Sequence, residues 1–187
     1  MPSNFSEIQV VNNMKSPNTP TSITNALIAE SKRRLIDEGL VRIKKCLHQI
    51  SEEEVWLRPN ENCNSVGNLI LHLCGNVRQW ILSGIGEFPD NRERDNEFNL
   101  TSRVSKQQLL LQLQDLMQEV ETCLDKLTAE DLLIKRKVQA FEESKLSMLI
   151  HVVEHFSYHV GQISYIVKSM KNVDLAYYAD VDLNITE

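Results

Sequence analysis

The sequence has few of the residues that define specialised protein classes. Only 6 glycines and 5 prolines occur in 187 residues, which excludes collagen-like and proline-rich chains. The 4 cysteines are spread along the chain without a Cys-x-x-Cys pair. We therefore expect free thiols in a reducing compartment, and neither a disulfide framework nor a cysteine-based zinc site. No apolar run approaches the roughly 20 residues of a membrane-spanning helix.

The net charge and the first residues of the chain exclude further classes of protein. The formal net charge of −6 argues against a generally basic nucleic-acid-binding protein. The first residues have neither the basic start nor the apolar stretch of a signal peptide. We therefore expect a cytoplasmic globular protein with no nucleic-acid or membrane partner.

The chain divides into one folded unit between two tails. Residues 1–20 are rich in Asn, Ser and Pro and are predicted to form an N-terminal tail. Residues 21–173 hold the regularly patterned apolar residues and are predicted to form a single helical domain. Residues 174–187 are acidic and weakly patterned, and are predicted to form a C-terminal tail.

Four segments have the periodicity of amphipathic helices. They span about residues 21–49, 65–83, 105–124 and 145–170. Asn64 or Ser65 is predicted to cap the second helix, and Ser105 with Gln108 has capping-box spacing at the start of the third. No Asn-Gly or Asp-Gly turn and no alternating run predicts a β-hairpin. The pattern predicts an all-α protein, an antiparallel four-helix bundle with a long loop between helices 2 and 3.

A weak internal repeat also bears on the arrangement of the helices. Residues 50–56 and 127–133 both read as apolar, Ser/Thr, any residue, Glu, acid, apolar. A histidine-bearing helix follows each copy after a loop. Two halves related by a pseudo-twofold axis would bring the second and fourth helices together.

Four of the five histidines lie on those two helices. His151, His155 and His159 recur every four residues on the fourth helix, so neighbouring rings share a face and can hold one metal ion together. His72 lies on the apolar second helix within a polar stripe, and it can supply a third ligand. The alternative is that His72 is a hydrogen-bonded core residue and the others lie on a solvated face. The stripe also holds Asn68, Asn76 and Gln79.

A competing motif is present on the fourth helix. The stretch HVVEH at 151–155 matches the inverted zinc-peptidase signature, in which both histidines bind zinc and the Glu is the general base. That architecture needs a further acidic ligand on a later helix. The 32 residues after His155 hold no clear helix of that kind, so we do not favour this reading.

The histidine-bearing segments resemble the DinB-like superfamily, four-helix bundles that often hold a metal with three histidines. The resemblance extends over about residues 22–172 and includes one DinB-like group, DUF1572. It rests on EHFSYHVGQI at 154–163, WLRPN at 56–60, NSVGNL at 64–69, HLCGNVRQW at 72–80 and RDNEF at 94–98.

The resemblance implies a metal site and leaves the reaction open. It places the metal ligands at His72, His155 and His159, with His151 as a neighbour, and it implies a divalent ion, zinc or nickel. Characterised relatives include thiol S-transferases that use low-molecular-weight bacterial thiols, a thiol-dependent isomerase and proteins named as metal-dependent hydrolases. It also implies a homodimer and a small-molecule substrate, with a low-molecular-weight thiol as one candidate.

Three functions therefore remain open. The first is an enzyme, a metal-dependent hydrolase or thiol transferase with an open metal position. The second is a non-enzymatic metal-binding or structural bundle. The third is a metal-free bundle whose histidines only form hydrogen bonds.

Several other side chains are secondary candidates. Glu97, Asp95 and Glu154 are possible general bases, and the interpretation as surface charges or ion pairs is favoured for each charge on the long loop. Cys74 is expected to face away from the site, and Trp56 and Trp80 are expected to pack in the core. An anionic group of a substrate could be bound by Arg78, Arg92 and Arg94. The histidine rings could be oriented by Asn68, Asn76 and Gln162.

Overall fold

The computed structural model describes residues 19–99 and 104–186. The predicted N-terminal tail thus lies outside the described residues, apart from its last two positions. Four long helices, a short helix and a two-stranded sheet make up the regular structure of these residues. The long helices agree with the four predicted segments to within a few residues at each end.

The first two long helices each contain a π-helical segment. Helix α1 consists of Thr19–Lys32, the π-helical Arg33–Leu40 and the α-helical Val41–Gln49. Helix α2 consists of Val66–Val77 and the π-helical Arg78–Ile85. π-Helical turns are rare and often occur at functional sites. The second one follows directly after the segment that carries His72.

The remaining elements follow in chain order. The short helix α3 spans Asn96–Asn99, and helix α4 spans Lys106–Leu124. Strands β1 and β2 span Lys135–Val138 and Phe141–Ser144, and helix α5 spans Lys145–Lys171. Two single 3₁₀ turns, at Glu54–Trp56 and Asp131–Leu133, lie in the links that follow α1 and α4.

The four long helices form a bundle in which α1 and α2 each pack against both α4 and α5. Apolar side chains from all four helices are buried between them, and Phe156 is among the largest of those that are fully buried. Ser105 and Gln108 form the predicted capping box at the start of α4, as Ser65 and Asn68 do at α2. The predicted four-helix bundle is therefore confirmed.

The directions of the helices follow from contacts along their lengths. Helix α5 runs parallel to α1 and antiparallel to α2, which it meets through pairs that include Gly84 with Met148 and Trp80 with His151. Helix α4 runs parallel to α2, because Arg78 pairs with Glu119 and Ile81 lies beside Cys123. The long loop consequently joins two helices that run in the same direction, and it has to travel back along the bundle.

The long loop returns alongside α2. Gln79 binds Asp90 with a distance of 2.7 Å, and Asn68, earlier on α2, binds the carbonyl of Glu97 at 3.0 Å. Near the end of the loop, Val104 accepts a hydrogen bond from the indole of Trp56 at 3.1 Å. This path lays the loop residues over the polar stripe of α2.

A β-hairpin was not predicted, and that expectation was wrong. Strands β1 and β2 pair antiparallel, with Arg136 opposite Glu143 and Lys137 opposite Glu142. Opposite charges across a strand pair stabilise it without any alternation of apolar residues. The turn also lacks the usual Asn or Gly, since Gln139 occupies a left-handed conformation with φ 52°.

The two copies of the internal repeat have the same local structure. Ser51 and Glu54 exchange backbone-to-side-chain hydrogen bonds at the first 3₁₀ turn, and Thr128 and Asp131 do so at the second. After each turn the chain enters a histidine-bearing helix. The two helices, α2 and α5, pack against each other as the repeat predicted.

The segment after α5 lies against the bundle. Leu175 is buried, and the hydroxyl of Tyr177 lies 2.6 Å from that of Ser164 on α5. Within the described residues, no helix is both long and apolar enough to cross a membrane.

Candidate metal centre

The side chains of His72, His155 and His159 meet between α2 and α5. One ring nitrogen from each lies within 4.8 Å of those of the other two, and the Nε2 atoms of His72 and His155 are 3.0 Å apart. His72 is buried and the other two rings are half-buried. The antiparallel packing of the two helices thus brings together residues that are more than eighty positions apart in sequence.

His72 is oriented by a carboxylate from the long loop. Its Nδ1 lies 2.8 Å from Oε2 of Glu97, and only 7% of each residue is exposed. An ionised carboxylate can only accept a hydrogen bond, so Nδ1 carries the proton and donates it. Nε2 of His72 is left with a lone pair that points towards the other two rings.

Arg92 keeps Glu97 ionised. Its Nε donates to Oε1 at 2.7 Å and its Nη2 to Oε2 at 2.9 Å, a two-point contact with the carboxylate. Burial by itself raises the pKa of Glu97, but the hydrogen bonds from His72 and Arg92 outweigh it and hold that pKa below its usual value. The acceptor opposite His72 is therefore a charged one.

The backbone around Glu97 is also fixed. Asn68 donates to the carbonyl of Glu97 at 3.0 Å, and Arg58 donates to that of Phe98 at 2.7 Å. Gly75, on the facing turn of α2, leaves the space that the carboxylate occupies, because a Cβ there would collide with Oε1 of Glu97. The absence of a side chain at this one position is a requirement of the site.

His159 is oriented by a residue of its own helix. Its Nδ1 lies 2.7 Å from Oε1 of Gln162, one turn further along α5. With the amide oxygen accepting from Nδ1, the lone pair of His159 is on Nε2. Gln162 therefore occupies the orienting position that was predicted for it.

All three rings of α5 are held in the neutral state. Burial, followed by the nearby rings of His159 and His72, lowers the pKa of His155 to about 3. Burial is also the main cause that lowers the pKa of His159 and that of His151. Neutral imidazole is the form that binds a metal.

These donors fit a divalent metal ion. Zinc–nitrogen bonds are about 2.0–2.1 Å long, so two nitrogens on one ion are about 2.8–3.4 Å apart at coordination angles of 90–109°. The 3.0 Å between the Nε2 atoms of His72 and His155 matches this spacing. The Nδ1 atoms of His72 and His159 each donate a hydrogen bond, so the Nε2 lone pairs of these rings point inward. This is the usual arrangement around metal-binding histidines.

Two kinds of comparison place the chain among known proteins. The family model "Protein of unknown function (DUF1572)" matches residues 24–179. The chain belongs to this family. No curated protein matches it.

Solved structures show that the DUF1572 chain shares the DinB-like fold. A conserved protein from Enterococcus faecalis is 19% identical, with a TM-score of 0.62 over 75% of this chain and 94% of its own. The DinB-like protein YjoA from Bacillus subtilis is 16% identical, with a TM-score of 0.59 over 78% of this chain and 94% of its own. A DinB-like protein from Bacillus cereus is 16% identical, with a TM-score of 0.58 over 72% and 87%. The resemblance predicted from the motifs is confirmed.

A cavity of about 520 Å³ adjoins the histidines of this DUF1572 protein. His72 and His155 form part of its wall, and the loop, the hairpin and both histidine-bearing helices enclose it. Its apolar lining is provided by Trp80, Phe141 and Ile150. The polar lining consists of Asn76, Arg92, Arg94, Gln139, Glu143, Ser147, His151 and Glu154.

The other predicted candidates differ in whether they line this cavity. Arg78 lies outside the cavity and pairs with Glu119 at an exposed position. Cys74 is buried away from the cavity, and desolvation raises the pKa of its thiol to about 12. Trp56 packs on Gly67 as expected, whereas Trp80 is part of the cavity wall.

The hairpin residues were missed because no hairpin was predicted. Gln139 donates to Oε1 of Gln79 at 2.7 Å, and the same oxygen accepts from Arg92 at 2.8 Å. This joins the turn of the hairpin, through Gln79 and Arg92, to Glu97 and His72. The one signal available in the sequence was Gln79, which belongs to the polar stripe of α2.

Proposed function

We propose that this protein is a metal-dependent enzyme, a hydrolase that acts on a small molecule. The observation that carries the proposal is the position of His72 and His155, which are at once two of the three clustered imidazoles and part of the wall of the cavity. An ion held by His72, His155 and His159 would lie next to a space large enough for a small substrate. A purely structural metal site is instead expected to be closed.

The donor set suits this chemistry. Three neutral ligands leave the charge of a divalent ion uncompensated, and zinc and nickel both suit imidazole nitrogen. When bound, such an ion supplies a Lewis acid that activates water or a thiol for attack. The ionised Glu97 stabilises the Nδ1 proton of His72 and thereby strengthens Nε2 as a ligand.

Other side chains of the cavity supply the remaining roles. Glu154 and Glu143 line it and can accept a proton from an attacking water. Arg94 lines it as well and can donate hydrogen bonds to a polar group of the substrate, and its guanidinium lies over the ring of Phe98 at 5.2 Å. Trp80 and Phe141 provide apolar surface on the cavity wall.

Metal analysis of protein purified without a histidine tag tests the metal site. We expect about one divalent ion per chain, and loss of that ion when His155 is replaced in the variant His155→Ala. His48 on α1 is exposed and supplies the matched control, because His48→Ala also removes one imidazole. Equal metal contents in the two variants would contradict the proposed ligands.

Hydrolysis assays then separate an enzyme from a structural metal protein. Metal-loaded protein should hydrolyse activated esters or amides, and metal-free protein and His155→Ala should not. A parallel set of assays with added low-molecular-weight thiol tests the thiol transferase. If the metal raises the melting temperature while neither reaction is accelerated, the structural metal protein is the correct reading.

A further inference from the structure

Two buried polar atoms in the described part of the chain have no hydrogen-bond partner, Oδ1 of Asn76 and Nε1 of Trp80. The residues are only 4% and 5% exposed. Both residues line the cavity beside the histidines, and the two atoms themselves are fully buried just behind its wall, so a ligand reaches them when the two side chains turn towards it. The two unsatisfied groups therefore occur at the same place.

Their neighbours on the same face of α2 are satisfied. Asn68, His72 and Gln79 all form hydrogen bonds to the long loop. Leaving a buried polar atom unpaired costs about 1–3 kcal/mol, and such atoms in native proteins usually bind an ordered water or a ligand. The polar stripe thus has an unpaired stretch where it faces the cavity.

The chemistry of the two atoms specifies a ligand. Oδ1 of Asn76 accepts a hydrogen bond, and Nε1 of Trp80 can only donate one. Residues four apart on a helix have side chains about 6 Å apart, so one small group can reach both. An amide has both complements, an N–H for Asn76 and a carbonyl oxygen for Trp80. A single water could serve both atoms, but the volume of about 520 Å³ is far larger than the roughly 30 Å³ that one water occupies.

The walls favour a flat ligand of low net charge. The ring of Trp80 lies 4.0 Å from that of His151 and 6.3 Å from that of Phe141. The charged side chains that line the cavity balance, since Arg92 and Arg94 are matched by Glu143 and Glu154. A carboxylate bound in the cavity would therefore meet no excess of positive charge.

We propose that this cavity binds planar amides, with the amide N–H donated to Asn76 and the amide carbonyl accepting from Trp80. The inference adds a substrate class to the proposed function. Only the role of the amide as a substrate rests on that function. Binding itself requires the cavity and not the metal.

Four probes with the same ring test the inference. Benzamide presents a donor and an acceptor, acetophenone only an acceptor, aniline a donor without a carbonyl, and benzoate a charged acceptor. Benzamide should bind in about the millimolar range, as expected for so small a ligand, and at least about tenfold more tightly than each of the others. Titrations followed by protein-observed NMR measure all four. Equal or tighter binding of any other probe, or no binding of benzamide, would overturn the inference.

Two conservative variants test the residues. Trp80→Phe keeps a ring and deletes the N–H, and Asn76→Ala deletes the amide, so each should weaken benzamide binding about tenfold. Trp80→Phe should remove the preference for benzamide over aniline, and Asn76→Ala should remove the preference over acetophenone. The control is Trp56→Phe, because the indole of Trp56 is bonded to Val104 outside the cavity. The control should keep benzamide selectivity but lose more thermal stability than Trp80→Phe, which breaks no hydrogen bond. A Trp80→Phe variant with unchanged selectivity would contradict the assignment.

Titrations of metal-loaded and chelator-treated protein distinguish the two proposals. Benzamide selectivity that persists without metal supports the amide pocket. Selectivity that is absent in both forms, in a protein that binds metal through the three histidines, overturns the amide pocket and leaves the metal-dependent function standing. Selectivity in a protein that never binds metal overturns the function and leaves the pocket.

Discussion

His72 and His159 face the same point and are held there in opposite ways. His72 is oriented by a buried, ionised Glu97 that arrives on a long loop and is itself held by Arg92. His159 is oriented by Gln162, a neutral residue one turn away on the same helix. The first arrangement depends on tertiary structure and on buried charge, whereas the second is local. Substitutions on the His72 side should therefore have much larger effects.

The largest effect is expected when Arg92 is removed. The pair of Arg92 and Glu97 is nearly buried, with side chains 5% and 9% exposed. Arg92→Ala leaves a buried carboxylate without its cation, and the loss of unfolding free energy should be about 3–5 kcal/mol by urea denaturation.

Arg78 on α2 provides the control. Its pair with Glu119 is exposed, with side chains 55% and 46% accessible. Arg78→Ala should cost no more than about 1 kcal/mol. Similar losses in the two variants would show that Glu97 is not dependent on a buried cation.

A smaller effect is expected from a methyl group at Gly75. The Cβ in Gly75→Ala would collide with Glu97, so either the loop or α2 must shift, at a cost of about 1–3 kcal/mol. Gly161 on α5 has no atom near its corresponding position. Gly161→Ala should instead stabilise the protein by about 0.5–1 kcal/mol, as alanine does in a helix. Thermal or urea unfolding of the two variants checks the sign, and a stabilising Gly75→Ala would refute the packing argument.

The remaining effect is expected on metal binding, which is measured as an affinity and not as a stability. Glu97→Gln keeps the shape of the side chain but removes the charge opposite His72, and it should weaken metal affinity about 10–100-fold. Gln162→Leu, which removes the neutral partner of His159, should weaken it less than about tenfold. Competition with a chelating dye measures both affinities. If Gln162→Leu had the larger effect, it would be wrong to rank Glu97 above Gln162 in orienting a metal ligand.

Local patterns were sufficient to predict the helices. Ser105 with Gln108 predicted the start of α4, and the spacing of His155 and His159 predicted that both rings share one face of their helix. These features depend on neighbours within one or two turns of the chain. The structure places His72 with those two rings, and metal binding at the three stays a prediction, as do the homodimer, the domain boundaries and the cytoplasmic location.

Two features that depend on distant contacts, the path of the long loop and the β-hairpin, were not predicted. The charges of the long loop were interpreted as surface charges or ion pairs. Glu97 and Arg92 do form an ion pair, but the pair is buried, because the loop returns along α2 and meets Gly75. No sequence pattern specifies that path. The hairpin was missed because Arg136 and Glu143 stabilise it by charge, and the turn at Gln139 lacks the usual glycine or asparagine.

The junction of the hairpin and α5 has a mechanical consequence. Ser144 is both the last residue of β2 and the N-cap of α5, where it accepts a hydrogen bond from Ser147. The next residue, Lys145, donates its backbone N–H to Ile134, just before β1. No spacer separates one wall of the cavity from the helix that carries two of the clustered imidazoles. A ligand large enough to push the hairpin outward would therefore pull directly on the first turn of α5, the helix that also carries His155 and His159.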